Sequence, residues 1–233
     1  MSVDLALIFL NAQTIRNPDG LERFIEGLQA SGFRVWDFKV GRSTEVSSQS
    51  DDCTIQVLQL ARELHELKFN ARRPTGTKRN LEFDFFVQIG WGEHLLQGTD
   101  RTWVGLTCRS GPLLRYPEFD PTYHSRLMLD IGKKIYSTLL PAFAWIDFGH
   151  LAGHTWFDDL EKLRIPHIYW ANYFGPAYLA GIGRERVMRA PAWRLEPLDD
   201  GGLLYVLASS PDSTEDHVDV RSVKEHFGID AIR

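Results

Sequence analysis

The densest group of side chains able to do chemistry is Asp147, His150, His154, Asp158 and Asp159. Imidazoles four residues apart share one face of a helix and can hold a metal ion between them. Asp147 or Asp158 would then be a third ligand, the donor set of a metal-dependent hydrolase. Against this, the residue after His150 is Leu151, where a zinc-protease helix carries its general-base glutamate. Gly149 and Gly153 also weaken a helix across the pair. A glycine-rich loop whose histidines cap backbone groups is the simpler account, and the metal site stands as the alternative.

Other catalytic patterns are incomplete. Asp147-Phe148-Gly149 spells the magnesium triplet of protein kinases, but no His-Arg-Asp catalytic loop precedes it. Gly181-Ile182-Gly183 lacks the third glycine of a dinucleotide fingerprint. No GxxxxGK[ST] phosphate loop and no GxSxG nucleophile elbow occurs. The expectation is a protein that is not an enzyme and uses no cofactor.

Charge narrows the partners. Across 233 residues, 26 Lys and Arg stand against 31 Asp and Glu, a formal charge of −5. Proteins that grip nucleic acid through phosphates carry a basic stripe or a high pI, whereas here the pI is about 5.9. Arg72, Arg73, Lys78 and Arg79 cluster without an aromatic between them, which reads as a solvated loop. Between Arg194 and Arg221 no cation interrupts Glu196, Asp199, Asp200, Asp212, Glu215, Asp216 and Asp219. Such a tract attracts basic partners. Aromatic residues make up 12% of the chain, and Trp91, Trp156, Tyr169, Trp170 and Tyr173 stand among polar neighbours. Most belong in a core, and a minority suits an interface.

The elements that must position these residues follow from periodicity. Val3–Phe9 reads as a strand, Leu21, Phe24, Ile25 and Leu28 recur at helical spacing, and Phe33–Val40 is again strand-like. The chain thus opens β-α-β. Ile55–Leu67 has helical spacing, and Asn70–Asn80 breaks the pattern with Pro74 and Gly76. Leu81–Val87 alternates as a strand with one wet face, with Trp103–Cys108 as its partner. Ser125–Leu140 reads as a helix ended by Pro141, followed by a strand at Ala142–Phe148. Ile168–Phe174 is strand or helix; Trp193–Leu198 and Leu203–Leu207 flank Asp199-Asp200-Gly201-Gly202, a hairpin signal. Val223–Phe227 closes as a short helix. The fold class expected is α+β, a largely antiparallel sheet with helices packed on one face. Either one domain covers residues 1–233, or a break near residues 70–80 separates two subdomains.

With two cysteines, Cys53 and Cys108, and no CxxC, a four-thiolate zinc site is excluded. The apolar runs are shorter than the roughly 20 residues a membrane helix needs, and Asp4 precedes the first of them without a basic leader. A soluble, cytoplasmic protein with no membrane contact is expected.

The stretch from Arg164 to Leu207 contains Tyr169-Trp170-x-Asn172-x-Phe174-Gly175-Pro176, then Gly183-Arg184-Glu185, an apolar strand and an Asp-Gly-Gly hairpin. This pattern resembles bacterial immunity proteins of polymorphic-toxin and type VI secretion systems, of the immunity protein 52 kind and its relatives. The resemblance implies a cytoplasmic, non-enzymatic α+β protein that binds and neutralises a cognate protein toxin. A basic nuclease toxin would suit an acidic surface, because complementary charge speeds encounter. The candidate contact residues, taken from the acidic tract and the aromatics, are Glu196, Asp199, Asp200, Asp212, Glu215, Asp216, Trp170 and Tyr173.

Overall fold

A computed structural model describes residues 4–12, 14–16, 18–40, 44–45, 66–74, 82–91, 101–109, 121–148, 157–211 and 219–229. Its centre is a ten-stranded sheet in the order β3-β2-β4-β5-β6-β1-β7-β8-β10-β9. The strands are β1 (Asp4–Leu10), β2 (Arg34–Val40), β3 (Thr44–Glu45), β4 (Glu66–Pro74), β5 (Glu82–Trp91) and β6 (Thr102–Arg109). They continue as β7 (Phe143–Phe148), β8 (Ala171–Phe174), β9 (Arg194–Pro197) and β10 (Leu203–Val206). Every neighbouring pair is antiparallel. The fold is therefore α+β with one large antiparallel sheet.

Two long helices, α1 (Pro18–Ala30) and α2 (Pro121–Leu139), pack against each other, α1 also against β2 and α2 against β1. Leu21, Phe24, Ile25 and Leu28 of α1 are buried, as are Met128, Leu129, Ile131, Ile135, Tyr136 and Leu139 of α2. These are the apolar stripes that a helical period of 3.6 residues places on one side. Leu140, in the left-handed region at φ 47°, and Pro141 end α2. The opening β1-α1-β2 unit is present, but its strands are not neighbours: β6, β5 and β4 stand between them. In the same way β1 separates β6 from β7, which α2 connects.

The helix-bearing face of the sheet is sealed along its length. Phe69, Val87, Leu106, Leu7 and Ile146 form one cross-strand row, and all are buried. Tyr173 continues this face on β8; its hydroxyl donates to the Leu129 carbonyl of α2 at 3.1 Å, and its ring stacks on Tyr136 at 5.7 Å.

On the opposite face the C-terminal strands are covered by α3 (Phe157–Glu161), α4 (Pro176–Ile182), α5 (Arg184–Met188), α6 (Val220–Phe227) and the segment that leads into β8. Trp145 stacks on Tyr169 at 4.2 Å with rings 6° from parallel. Tyr178 of α4 meets Phe143 and Phe174, and Phe227 of α6 meets Tyr205 edge-on. Buried Asn172 accepts from the Tyr169 N–H at 3.0 Å and donates to the Tyr169 carbonyl at 2.8 Å. Its amide thereby satisfies both backbone groups of a residue outside the ladder. Gly175 is required for close approach, since a Cβ there would lie 2.4 Å from the Pro141 carbonyl oxygen. The residues of the Tyr169–Pro176 pattern are thus packing and hydrogen-bonding elements.

Three expectations change. Glu66 and Leu67 belong to β4, not to the end of a helix, and residues 51–65 lie outside the described residues. Asn70–Pro74 is strand rather than a break, so Arg72 and Arg73 stand on β4; Lys78 and Arg79 are outside the described residues. Ile168–Phe174 resolves as a strand only from Ala171. Among the described residues, no helix is long and apolar enough to cross a membrane.

Candidate functional site

Among the described residues, the N-terminal half of that second face carries no comparable cover. Because side chains alternate along a strand, the residues between the buried ones of β4 and β5 point to this side. Trp36, Asn70, Phe86 and Thr107 form one cross-strand row from β2 to β6. Phe86 is 44% exposed, and Trp36, Asn70 and Thr107 are half-buried. The Arg72 guanidinium lies 5.1 Å from the Trp36 ring centroid and pairs with Asp84 at 2.9 Å. Asn70 donates to Asp37 at 3.0 Å. Asp37 has φ 60° and sits in an irregularity of the β2–β4 register between Trp36 and Lys39. Such a bulge re-aims the side chains beside it.

Further along, Lys68 pairs with Glu66 at 2.9 Å, and Gln88 donates to Glu66 at 2.7 Å. The half-buried Trp103 lies flat across two glycines: a Cβ on Gly90 would stand 2.1 Å from its Nε1, and one on Gly105 would stand 3.2 Å from its ring. The face therefore presents Trp36, Trp103 and Phe86 interleaved with oriented charges. Trp and Arg in that setting are the residue types that dominate binding energy at protein interfaces.

The acidic hairpin is different. Glu196 is held by Lys133 at 3.1 Å and by Arg194, while Asp200 accepts from the Tyr136 hydroxyl and from the Gly202 N–H, both at 2.8 Å. Burial lowers the Lys133 pKa, but hydrogen bonds and attraction to Glu196 and Asp130 outweigh it and raise the pKa overall. Burial, reinforced by the bond to Asp200, pushes the Tyr136 hydroxyl well above its ordinary range. These contacts neutralise or engage two of the three hairpin carboxylates and dock the turn on α2. Asp199 remains exposed. Asp212, Glu215 and Asp216 lie outside the described residues.

Trp170 and Tyr173 are fully buried and so belong to the core rather than to a contact surface. Trp170 donates its indole N–H to the Ala208 carbonyl at 2.9 Å and its backbone N–H to Asp147 at 2.7 Å. Polar sequence neighbours suggest exposure at these two positions, but the neighbour Asn172 is itself buried and tied to the Tyr169 backbone.

Of the metal-ligand candidates, Asp147 is buried and its second oxygen accepts from the Phe148 N–H at 2.7 Å. Asp158 pairs with Arg101 at 2.8 Å, and Asp159 pairs with Arg164 at 3.0 Å. His150 and His154 are outside the described residues. Among the described residues, no group of three His, Cys, Asp or Glu is placed to hold a metal ion. Cys108 is buried.

Composition gave no pointer to the open face. The signal that does is alternation: Leu67, Phe69 and Ala71 against Lys68, Asn70 and Arg72, matched on β5 by Phe85, Val87 and Ile89 against Asp84, Phe86 and Gln88.

No family model matches the chain, and no curated protein matches it by sequence. Among solved structures it is similar to one described as the Pseudomonas aeruginosa T6SS protein PA0821, at 11% identity and a TM-score of 0.46. The match covers 97% of this chain and 75% of that one.

Proposed function

We propose that this chain is an immunity protein: a cytoplasmic, non-catalytic binder that neutralises a cognate protein toxin by occupying it one to one. The observation that carries the reading is the N-terminal half of the second sheet face, where Trp36, Arg72 and the exposed Phe86 stand on a rigid ladder that no described element covers. A site on paired strands is preorganised, so little ordering entropy opposes binding. The Tyr169–Pro176 pattern supports the same reading through its resemblance to immunity proteins, as a structural signature rather than a contact site.

The test is to co-express the chain with candidate toxins encoded beside it and measure growth, then titrate the purified pair. The expected result is protection that saturates at one equivalent, with loss of protection in Trp36→Ala and Phe86→Ala. A toxin activity untouched by excess protein, for every neighbouring toxin, would overturn the reading.

A further inference from the structure

Strand β2 carries one residue more than its partner. Trp36 stands opposite Asn70 and Lys39 opposite Lys68, so Asp37 and Phe38 together face the single residue Phe69 of β4. The hydrophobic pattern does not require the extra residue. Val35 pairs with buried Ala71, Val40 pairs with buried Leu67, and the Phe38 ring lies 5.3 Å from that of buried Phe69. All three are therefore on the helix-bearing side, and Arg34, Trp36 and Lys39 are on the other. With Asp37 removed, Arg34, Val35, Trp36, Phe38, Lys39 and Val40 would alternate without a break, each on the side it now occupies.

The insertion has a cost. Asp37 takes φ 60°, the left-handed region that residues other than glycine seldom adopt, and a bulge interrupts the ladder. Such a conformation persists only where its surroundings fix it. Here Asn70, opposite Trp36, donates to the Asp37 carboxylate at 3.0 Å. Arg72, the diagonal neighbour of Trp36, holds its guanidinium 5.1 Å from the indole centroid and is itself tied to Asp84. The bend at Asp37 and the guanidinium thus bracket one half-buried indole.

We infer that the Asp37 bulge is a positioning device for Trp36: the extra residue serves recognition, not the fold. By bending and twisting β2 directly after Trp36, it sets the angle at which the indole leaves the sheet, and Arg72 fixes the ring there. Asp37 acts through Trp36 and need not touch the partner. The inference rests on the reading of this face as the partner-binding surface. An indole already fixed in place loses less rotamer freedom on binding.

The experiment compares three variants of the full chain: deletion of Asp37, Asp37→Gly and Asn70→Ala. Each is followed by urea unfolding, by the Trp36 indole N–H resonance (assigned through Trp36→Phe), and by affinity for a toxin against which co-expression of the native chain protects. The deletion should fold with a urea midpoint at or above the native one, because it restores the ladder and removes the left-handed residue. Its Trp36 resonance should shift, and its affinity should fall on the order of tenfold or more. Asp37→Gly should keep the native resonance and an affinity within about threefold, since glycine adopts the same φ freely. Asn70→Ala should broaden the Trp36 resonance. A deletion variant that unfolds or loses stability would overturn the inference, because the residue would then belong to the fold. A native Trp36 resonance in the deletion would overturn it too; if that variant also self-associates, the bulge blocks edge pairing instead. Equal loss of affinity in Asp37→Gly and in the deletion would make the carboxylate a contact in its own right and overturn the positioning role. The resonance and urea arms contain no toxin, so they judge the positioning even where neutralisation fails, and failure of the proposed function is read from co-expression alone.

Discussion

Trp36 on β2 and Trp145 on β7 point to the same side of one sheet, yet their surroundings differ. Trp145 is sealed under Tyr169, with Phe143, Phe174 and Tyr178 beside it. Trp36 keeps a partly exposed ring with a guanidinium on it. In the C-terminal half, burial of large aromatic side chains stabilises the fold by about 1.5–3 kcal/mol each. In the N-terminal half, among the described residues, the face that carries α1 and α2 supplies that burial through Phe69, Phe85, Val87 and Ile89. Among the described residues, nothing seals the second face there. On the proposed function, one sheet thus separates stability from recognition by position along its strand order.

Substitutions should break that contrast in order of size. Trp145→Ala should cost about 3–5 kcal/mol in urea unfolding, because it empties a large buried site. Asn172→Ala should cost about 2–3 kcal/mol, since it removes both buried hydrogen bonds to the Tyr169 N–H and carbonyl. Gly90→Ala should cost about 1–3 kcal/mol by driving the Trp103 indole off the sheet, with a red shift of tryptophan emission as that ring becomes exposed. Phe86→Ala should change stability by no more than about 0.5 kcal/mol, so a larger loss would mean that the open face is part of the core.

The smallest expected effect is a pH dependence at α6. The Ser222 hydroxyl, then the Arg221 N–H, hold the Asp219 carboxyl below its ordinary pKa, where it caps the helix. A lowered folded pKa means the contribution is complete above the unfolded value of about 3.9 and is lost as pH falls through the folded one. Fraying of α6, followed by amide exchange at Val223 and Lys224, should begin only in that acid range. Asp219→Ala should show the fraying at neutral pH.

Much of the scaffold was legible. The alternation of β5 with β6, the helix ended by Pro141, the strand at Phe143–Phe148 and the Asp-Asp-Gly-Gly hairpin all stand where periodicity and turn chemistry put them. β4 was hidden because the helical spacing of Leu58, Ala61, Leu64 and Leu67 runs into it, and because Arg72, Arg73 and Pro74 look like a loop. Its outward residues Lys68, Asn70 and Arg72 are polar, in keeping with a side that no described core element covers. The acidic hairpin misleads in the opposite direction, since a run of carboxylates does not reveal that Lys133 and Tyr136 come from α2 to engage them. Order along the chain shows which residues alternate; it does not show which half of a face a later segment will cover.

The most direct test measures stability and partner affinity together in the Trp36→Ala, Phe86→Ala double variant, using the toxin against which co-expression of the native chain protects. The account predicts unfolding free energy within about 1 kcal/mol of the native chain and affinity lower by more than about 30-fold. Unchanged affinity in a folded double variant would contradict it, as would a loss of affinity no larger than the loss of stability explains.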